Sequence, residues 1–344
     1  MDATKIKRAL ARTSLSAPTP LLRRLARERR ADGYTLDPQL ALLAQLGDLL
    51  GEPRTHEQPV PVARRTFVHQ TGVVDLDPPP DVSAEDREID AHGCSLRIRI
   101  YRTARAEPEA PALVYYHGGG FVIGDLRSHD GVCRWLSREA RITVIAVDYR
   151  LAPEHTFPAA IEDGLAAYRW AVEHRSELGF GALGVGGDSA GGCLAAVTCQ
   201  QARELGLAQP ALQLLIYPVT HVGSTLPSRK TFEDGVFLEK ATIDWFTEYY
   251  LPERAARSDP RASPLLAERL DGLAPALVLT AGFDPLRDEG RAYADRLREA
   301  GVPVEYYCAT TLPHGFWSMG GVIDEARRWV LRASRRAGAL LRQR

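Results

Sequence analysis

Leu183-Gly184-Val185-Gly186-Gly187-Asp188-Ser189-Ala190-Gly191-Gly192-Cys193-Leu194-Ala195-Ala196-Val197 reads as a strand, a sharp turn and a helix, with a serine at the turn. The G-x-S-x-G spacing has a steric reason. A serine at the tip of a tight strand-to-helix turn is strained, and bulky neighbours two residues away would clash. Glycine at both flanks removes the clash. The serine oxygen then lies beside unpaired N–H groups at a helix N-terminus, where developing negative charge is favoured. A plain glycine-rich loop is the competing reading of these residues, and the rest of the chain decides between them.

On either side of this stretch, buried-strand runs alternate with helical periodicity. Residues 94–101 alternate polar and apolar. Residues 112–116 and 142–147 are continuous apolar runs. Further strands are expected at 212–217, 276–280 and 302–308, and helices at 132–140, 159–176, 286–300 and 323–341. In 159–176 the apolar stripe is Ile161, Leu165, Tyr168 and Val172. Alternation of this kind predicts an α/β chain with a mostly parallel sheet covered on both faces. Ligands in such sheets bind beyond the carboxyl ends of the strands. The residues that follow each strand are therefore the ones to survey: His117-Gly118-Gly119-Gly120, Asp148-Tyr149-Arg150, Asp188-Ser189, Asp284 and Pro313-His314-Gly315.

A serine, an aspartate and a histidine thus follow different strands in the order expected of a serine hydrolase of the α/β type. A serine hydroxyl is a poor nucleophile near neutral pH and needs a base, for which His314 is the candidate. Asp284 is expected to orient the imidazole. Asp288 and Glu289 compete for that role, with loop support as their alternative. Acyl transfer also needs donors for an oxyanion. The triple glycine 118–120 can turn N–H groups into a site, and Ala190 N–H is a further donor. His117 is expected to hold its loop, and Asp188 the turn beside the nucleophile.

At these residues the chain resembles the hormone-sensitive-lipase family of esterases. The resemblance rests on His117-Gly118-Gly119-Gly120-Phe121, on Asp148-Tyr149-Arg150-Leu151-Ala152-Pro153-Glu154 with Phe157-Pro158-Ala159-Ala160, on Gly187-Asp188-Ser189-Ala190-Gly191-Gly192, and on Asp284-Pro285-Leu286-Arg287-Asp288-Glu289. The GDSAGG form is similar to a bacterial branch. The resemblance spans roughly residues 36–340. It implies an α/β-hydrolase fold with a helical cap, and hydrolysis of short- to medium-chain carboxylic esters without a cofactor. It carries Ser189, Asp284 and His314 onto the family's triad, and Gly118, Gly119 and Ala190 onto its oxyanion hole.

Almost sixty residues separate the strands near 217 and 276. A helix over 239–251, with Ile243, Trp245, Phe246, Tyr249 and Tyr250, belongs to this insertion and is expected to cap the site together with residues 1–70. The pocket candidates are Phe121, Asp188, Phe237, Trp245, Phe246 and Phe316. The expected division is 1–70 for the basic extension and cap helices, 71–220 for the first part of the core, 221–262 for the inserted cap segment and 263–344 for the second part. A helix is expected over 35–50, capped by Asp37 and Pro38, with Leu36, Leu40, Leu43, Leu46 and Leu50 as its buried stripe. The proline-rich stretch 51–85 reads as an irregular connection.

Residues 1–33 hold Lys5, Lys7, Arg8, Arg12, Arg23, Arg24, Arg27, Arg29 and Arg30 against Asp2, Glu28 and Asp32. They lack the apolar core of a signal peptide. A basic helix over 20–30, resting on the body or touching a surface, is expected instead. The net charge of −1 gives no reason to expect a nucleic-acid partner. Cys94, Cys133, Cys193, Cys199 and Cys308 form no C-x-x-C pair, which suits free thiols and a cytoplasmic setting. No run approaches a membrane span, and no H-E-x-x-H or similar cluster suggests a metal. Residues 184–189 have serine where the third glycine of a dinucleotide fingerprint belongs. The last strand is expected at a sheet edge, so the chain is read as a monomer or an edge-paired homodimer.

Overall fold

Strands β1 (Val82–Ala91), β2 (Cys94–Thr103), β3 (Ala112–Tyr116), β4 (Thr143–Val147), β5 (Leu183–Asp188), β6 (Gln213–Ile216), β7 (Ala276–Phe283) and β8 (Val304–Pro313) form one sheet in the order β8-β7-β6-β5-β3-β4-β2-β1. This computed structural model describes residues 8, 12, 13, 15–91 and 93–343. Asp2, Lys5 and Lys7, and the Cys94 side chain, lie outside the described part. The six strands from β3 to β8 run parallel, and β1 and β2 are antiparallel at one edge. Around the sheet lie α1 (Thr19–Leu25), α2 (Pro38–Leu50), α3 (Val60–Val74), α4 (Asp130–Ala140), α5 (Ala159–Glu173), α6 (Ala190–Glu204), α7 (Pro227–Thr231), α8 (Lys240–Tyr250), α9 (Arg287–Glu299) and α10 (Asp324–Leu341).

Alternation along the central strands divides the core in two. Leu113 and Tyr115 of β3 pack on the side of α4 and α10, with Leu136 and Val330. Val114 and Tyr116 face α5 and α6, with Tyr168 and Leu194. The connection order changes direction around β3, which has β4 on one side and β5 on the other. The register Tyr116↔Gly187 sets the loop after β3 beside the turn after β5. A crevice is expected at such a switch point, and the site lies there.

Several local expectations are corrected. The stretch 51–85 contains α3, whose N-cap is Pro59 and whose first turn includes Pro61. Proline at a helix start loses no bond and fixes the right φ. β1 begins at Val82 and exposes Glu85, Asp86 and Glu88. Charge is tolerated there because the strand is an edge. In α2 the cap is as expected, since Asp37 accepts from Gln39 N–H at 2.8 Å. The buried stripe holds only in the first half. Leu36 and Leu40 are buried, but Leu46 is 36% exposed and Leu50 75%, because the second half leaves the body. In α5, Val172 is likewise exposed at the helix's last turn.

The basic helix is shorter than the 20–30 expected. α1 ends at Leu25, because Arg30–Ala31 pairs antiparallel with Tyr34–Thr35 around Asp32-Gly33, both at positive φ. α1 rests on the body through the buried Leu22. The following segment reaches the β8 edge, where Asp37 N–H donates to Thr311 O at 2.9 Å. Inserted helix α8 meets the turn Thr55–Glu57, where His56 Nδ1 lies 3.0 Å from Thr242 Oγ1.

Candidate active site

Ser189 sits between β5 and α6 at φ 56° and ψ −118°, the strained turn the sequence implies. Its N–H donates to Ile216 O at 2.9 Å, which pins the turn to the end of β6. A Cβ on Gly191 would lie 1.9 Å from Tyr116 O, and one on Gly187 2.4 Å from the same oxygen. The two flanking glycines are therefore required by backbone contact with β3.

In the register of β7 and β8, Pro313 is opposite Phe283. The next residues, His314 and Asp284, emerge side by side. His314 Nδ1–H donates to Asp284 Oδ2 at 2.8 Å, and Nε2 lies 3.0 Å from Ser189 Oγ. Asp284 is fully buried, and its other oxygen accepts from Leu286 N–H at 2.7 Å. This chain of contacts can pass a proton from the serine to the imidazole, with the carboxylate fixing the tautomer.

Asp288 and Glu289 do not touch His314. Asp288 accepts from Ser228 N–H at 2.8 Å. Glu289 accepts from Thr220 N–H at 3.0 Å and pairs with Arg229 at 2.7 Å. Both carboxylates tie the inserted segment to the loop that carries Asp284. His117 holds its loop as expected, with Nδ1–H donating to Gly118 O at 2.7 Å and its ring stacked 4.2 Å from Tyr149. Burial, and then the charge of His129, push its pKa down to about 4.

The expected oxyanion donors need one correction. Gly118 N–H already donates to Asp188 Oδ1 at 3.1 Å and is therefore engaged. Gly119, at φ 124°, and Gly120, at φ 60°, follow it. Among the described residues their N–H groups have no acceptor, and neither has that of Ala190. Asp188 also accepts from Tyr115 Oη at 2.6 Å and lies 3.3 Å from His129 Nε2. Burial alone would raise the Asp188 pKa, but the His129 charge, together with the hydrogen bonds from His129 and Tyr115, outweighs it and holds the carboxyl below its usual range. The sequence reading missed His129, because nothing in its local pattern separates it from a surface histidine.

A cavity of about 840 Å³ opens above Ser189 and His314. Phe121, Asp188, Phe237 and Phe246 line it as expected. Trp245 and Phe316 do not. Trp245 is turned back along α8 against Tyr249, with ring centroids 4.9 Å apart. Phe316 is fully buried behind the histidine loop, edge-on to Tyr217 at 5.3 Å. Leu43, Leu46 and Leu50 of α2 and Phe67 of α3 complete the wall. These were missed as lining, since a leucine stripe in sequence does not say which surface it covers. Phe246 lies so close to Gly120 that a Cβ there would fall 2.2 Å from its ring.

Sheet order, nucleophile-type turn and strand-end histidine and carboxylate together define an α/β hydrolase. Comparison with known proteins gives the same class: residues 113–318 match the family described as alpha/beta hydrolase fold, and the chain belongs to that family, in its hormone-sensitive-lipase-like part. It is 44% identical over 315 residues to the carboxylic ester hydrolase LipN of Mycobacterium tuberculosis, covering 88% of this chain and 83% of the relative. It is 42% identical over 306 residues to an ethyl acetate hydrolase of Pseudomonas putida, covering 85% and 95%. Among solved structures, an ester hydrolase from the metagenome of Lake Arreo superposes with TM-score 0.85 at 44% identity, covering 88% of this chain and 98% of that one. An esterase of Pyrobaculum calidifontis gives 0.80 at 37%, covering 86% and 98%. The chain is a carboxylic ester hydrolase. Among the described residues no helix is long and apolar enough to cross a membrane.

Proposed function

We propose that the chain hydrolyses short- to medium-chain carboxylic esters through an acyl-enzyme on Ser189. The observation that carries this reading is the continuous contact from Ser189 Oγ through His314 to Asp284, at 3.0 and 2.8 Å. His314 takes the serine proton as Oγ attacks the ester carbonyl. The N–H groups of Gly119, Gly120 and Ala190 receive the oxyanion. His314 then protonates the leaving alcohol, and water repeats the sequence to release the acid. Asp188, bound to Gly118 N–H, holds the glycine loop in register with the nucleophile. A cavity of about 840 Å³ has room for a medium acyl chain and a small alcohol, within the usual size of ligand pockets. The capping unit is the second half of α2, α3 and the inserted segment around α8. A cytoplasmic setting fits the buried free thiols of Cys133, Cys193 and Cys199.

Ser189→Ala tests the assignment. Turnover of p-nitrophenyl butyrate is expected to fall by about a million-fold, with an unchanged circular dichroism spectrum. A folded variant that retains the wild-type rate would remove Ser189 from the mechanism. A p-nitrophenyl series from acetate to palmitate then measures acyl preference, and a rate optimum beyond decanoate would contradict the proposed chain length.

A further inference from the structure

α1 and the second half of α2 leave apolar side chains uncovered beside the leucines of α2 that wall the cavity. Leu21 and Leu25 of α1 are 46% and 54% exposed, and Leu49 of α2 is 73% exposed. The two helices are joined at this point. Arg27 N–H donates to Gln45 Oε1 at 3.0 Å, and Gln45 Nε2 donates to Leu25 O at 3.4 Å. Leu49 lies one turn beyond Gln45, on the same side of α2. Leu46 and Leu50, also exposed, continue the face into the cavity wall.

Positive charge flanks this face on the α1 side. Residues 19–30 hold five arginines and one glutamate, in a chain whose net charge is only −1. Arg29 is satisfied by Asp48, and Arg30 by Glu28. Arg23, Arg24 and Arg27 are exposed and have no carboxylate partner among the described residues. Exposed leucines rimmed by unpaired arginines are the two components that bind a lipid–water interface: apolar side chains for the acyl boundary and cations for anionic headgroups. A patch of this kind on a folded surface marks an interaction site.

We propose that this face docks onto an anionic phospholipid layer, so that apolar esters held there enter the cavity past Leu46 and Leu50. The entry of esters rests on the function proposed above; the docking does not. A second copy of the chain fits less well, since it would bring the same unpaired arginines against each other.

Vesicle sedimentation tests the docking. Wild-type protein and the Ser189→Ala variant are expected to sediment with phosphatidylglycerol vesicles and at least tenfold less with phosphatidylcholine vesicles, with binding weakening as salt is raised. Each arginine near an anionic surface is worth about fivefold in partition. Arg23→Glu/Arg24→Glu/Arg27→Glu should therefore lower binding at least about 100-fold, and Leu25→Ser/Leu49→Ser about tenfold. Both variants should keep kcat/KM for soluble p-nitrophenyl butyrate within twofold of wild type, which also verifies folding. No binding by wild type, equal binding to both vesicles, or unchanged binding by the active arginine variant overturns the proposal. So does a dimer in sedimentation velocity that Leu25→Ser/Leu49→Ser dissociates. Binding that persists in a protein without esterase activity would retain the docking and reject the esterase reading.

Discussion

Asp188 shows how one side chain can serve the reaction by holding the loop beside the nucleophile. One oxygen accepts Gly118 N–H, and the same carboxylate faces His129 and Tyr115. Burial opposes charge on His129, but the Asp188 carboxylate, with Asp75 and Asp125 further off, outweighs it and raises the pKa. A base so raised stabilises the fold fully below its unfolded pKa of about 6.5, and that contribution is lost as pH rises through the folded value. Asp188, held below its ordinary range, contributes above about 3.9 and is lost as pH falls through its folded value. The pair therefore grips the glycine loop best from about pH 4 to 6.5. Asp188→Asn should lower kcat/KM by about 10- to 100-fold, less than loss of an oxyanion donor outright. The gap in Tm between wild type and this variant should be widest near pH 5 to 6 and shrink toward pH 9. A gap independent of pH would show that the ion pair is not what holds the loop.

Among the elements, inserted helix α8 has the closest link to the chemistry, because its Phe246 ring rests on Gly120. Phe121 beneath it stacks on Tyr250 at 4.0 Å. The helix therefore shapes both the oxyanion loop and the acyl space. Phe246→Ala should lower kcat/KM for p-nitrophenyl acetate about tenfold, while that for decanoate stays level or rises, as the space vacated admits the longer chain. Equal changes across the series would place Phe246 outside the acyl path. The triad was legible in the sequence because each member sits one residue past a strand, where apolar runs and turn residues mark position sharply. The oxyanion donors were less so: three successive glycines look alike until Asp188 takes the N–H of Gly118. Likewise α3 was hidden by prolines that begin a helix, and the leucines of α2 by a change of surroundings midway along the helix. Trp245 and Phe316 show the same limit, since an aromatic in the right loop can face the core or the cavity.

For the whole molecule, the question is how an insertion of some sixty residues stays in register with the sheet. The answer lies at Glu289, fully buried at the start of α9, three residues from the loop-borne Asp284–Leu286 contact. It accepts the N–H groups of Thr220 and His221, where the insertion leaves β6, and pairs with Arg229 of α7 at 2.7 Å. Burial raises its pKa, and Arg229 with the N–H groups of Thr220 and His221 acts in the opposite direction. Removing one partner strands a buried carboxylate, which typically costs about 3–5 kcal/mol, whereas replacing both with neutral groups costs much less. Arg229→Met should therefore lower Tm on the order of 5–10 °C. Arg229→Met/Glu289→Gln should recover most of that loss, because the glutamine oxygen can still accept from Thr220 and His221. Esterase activity at 25 °C should follow the same order, since the loop that Glu289 braces also carries Asp284. If the double variant were no more stable than Arg229→Met alone, the apolar packing of α8, not this ion pair, would be what seats the insertion on the sheet.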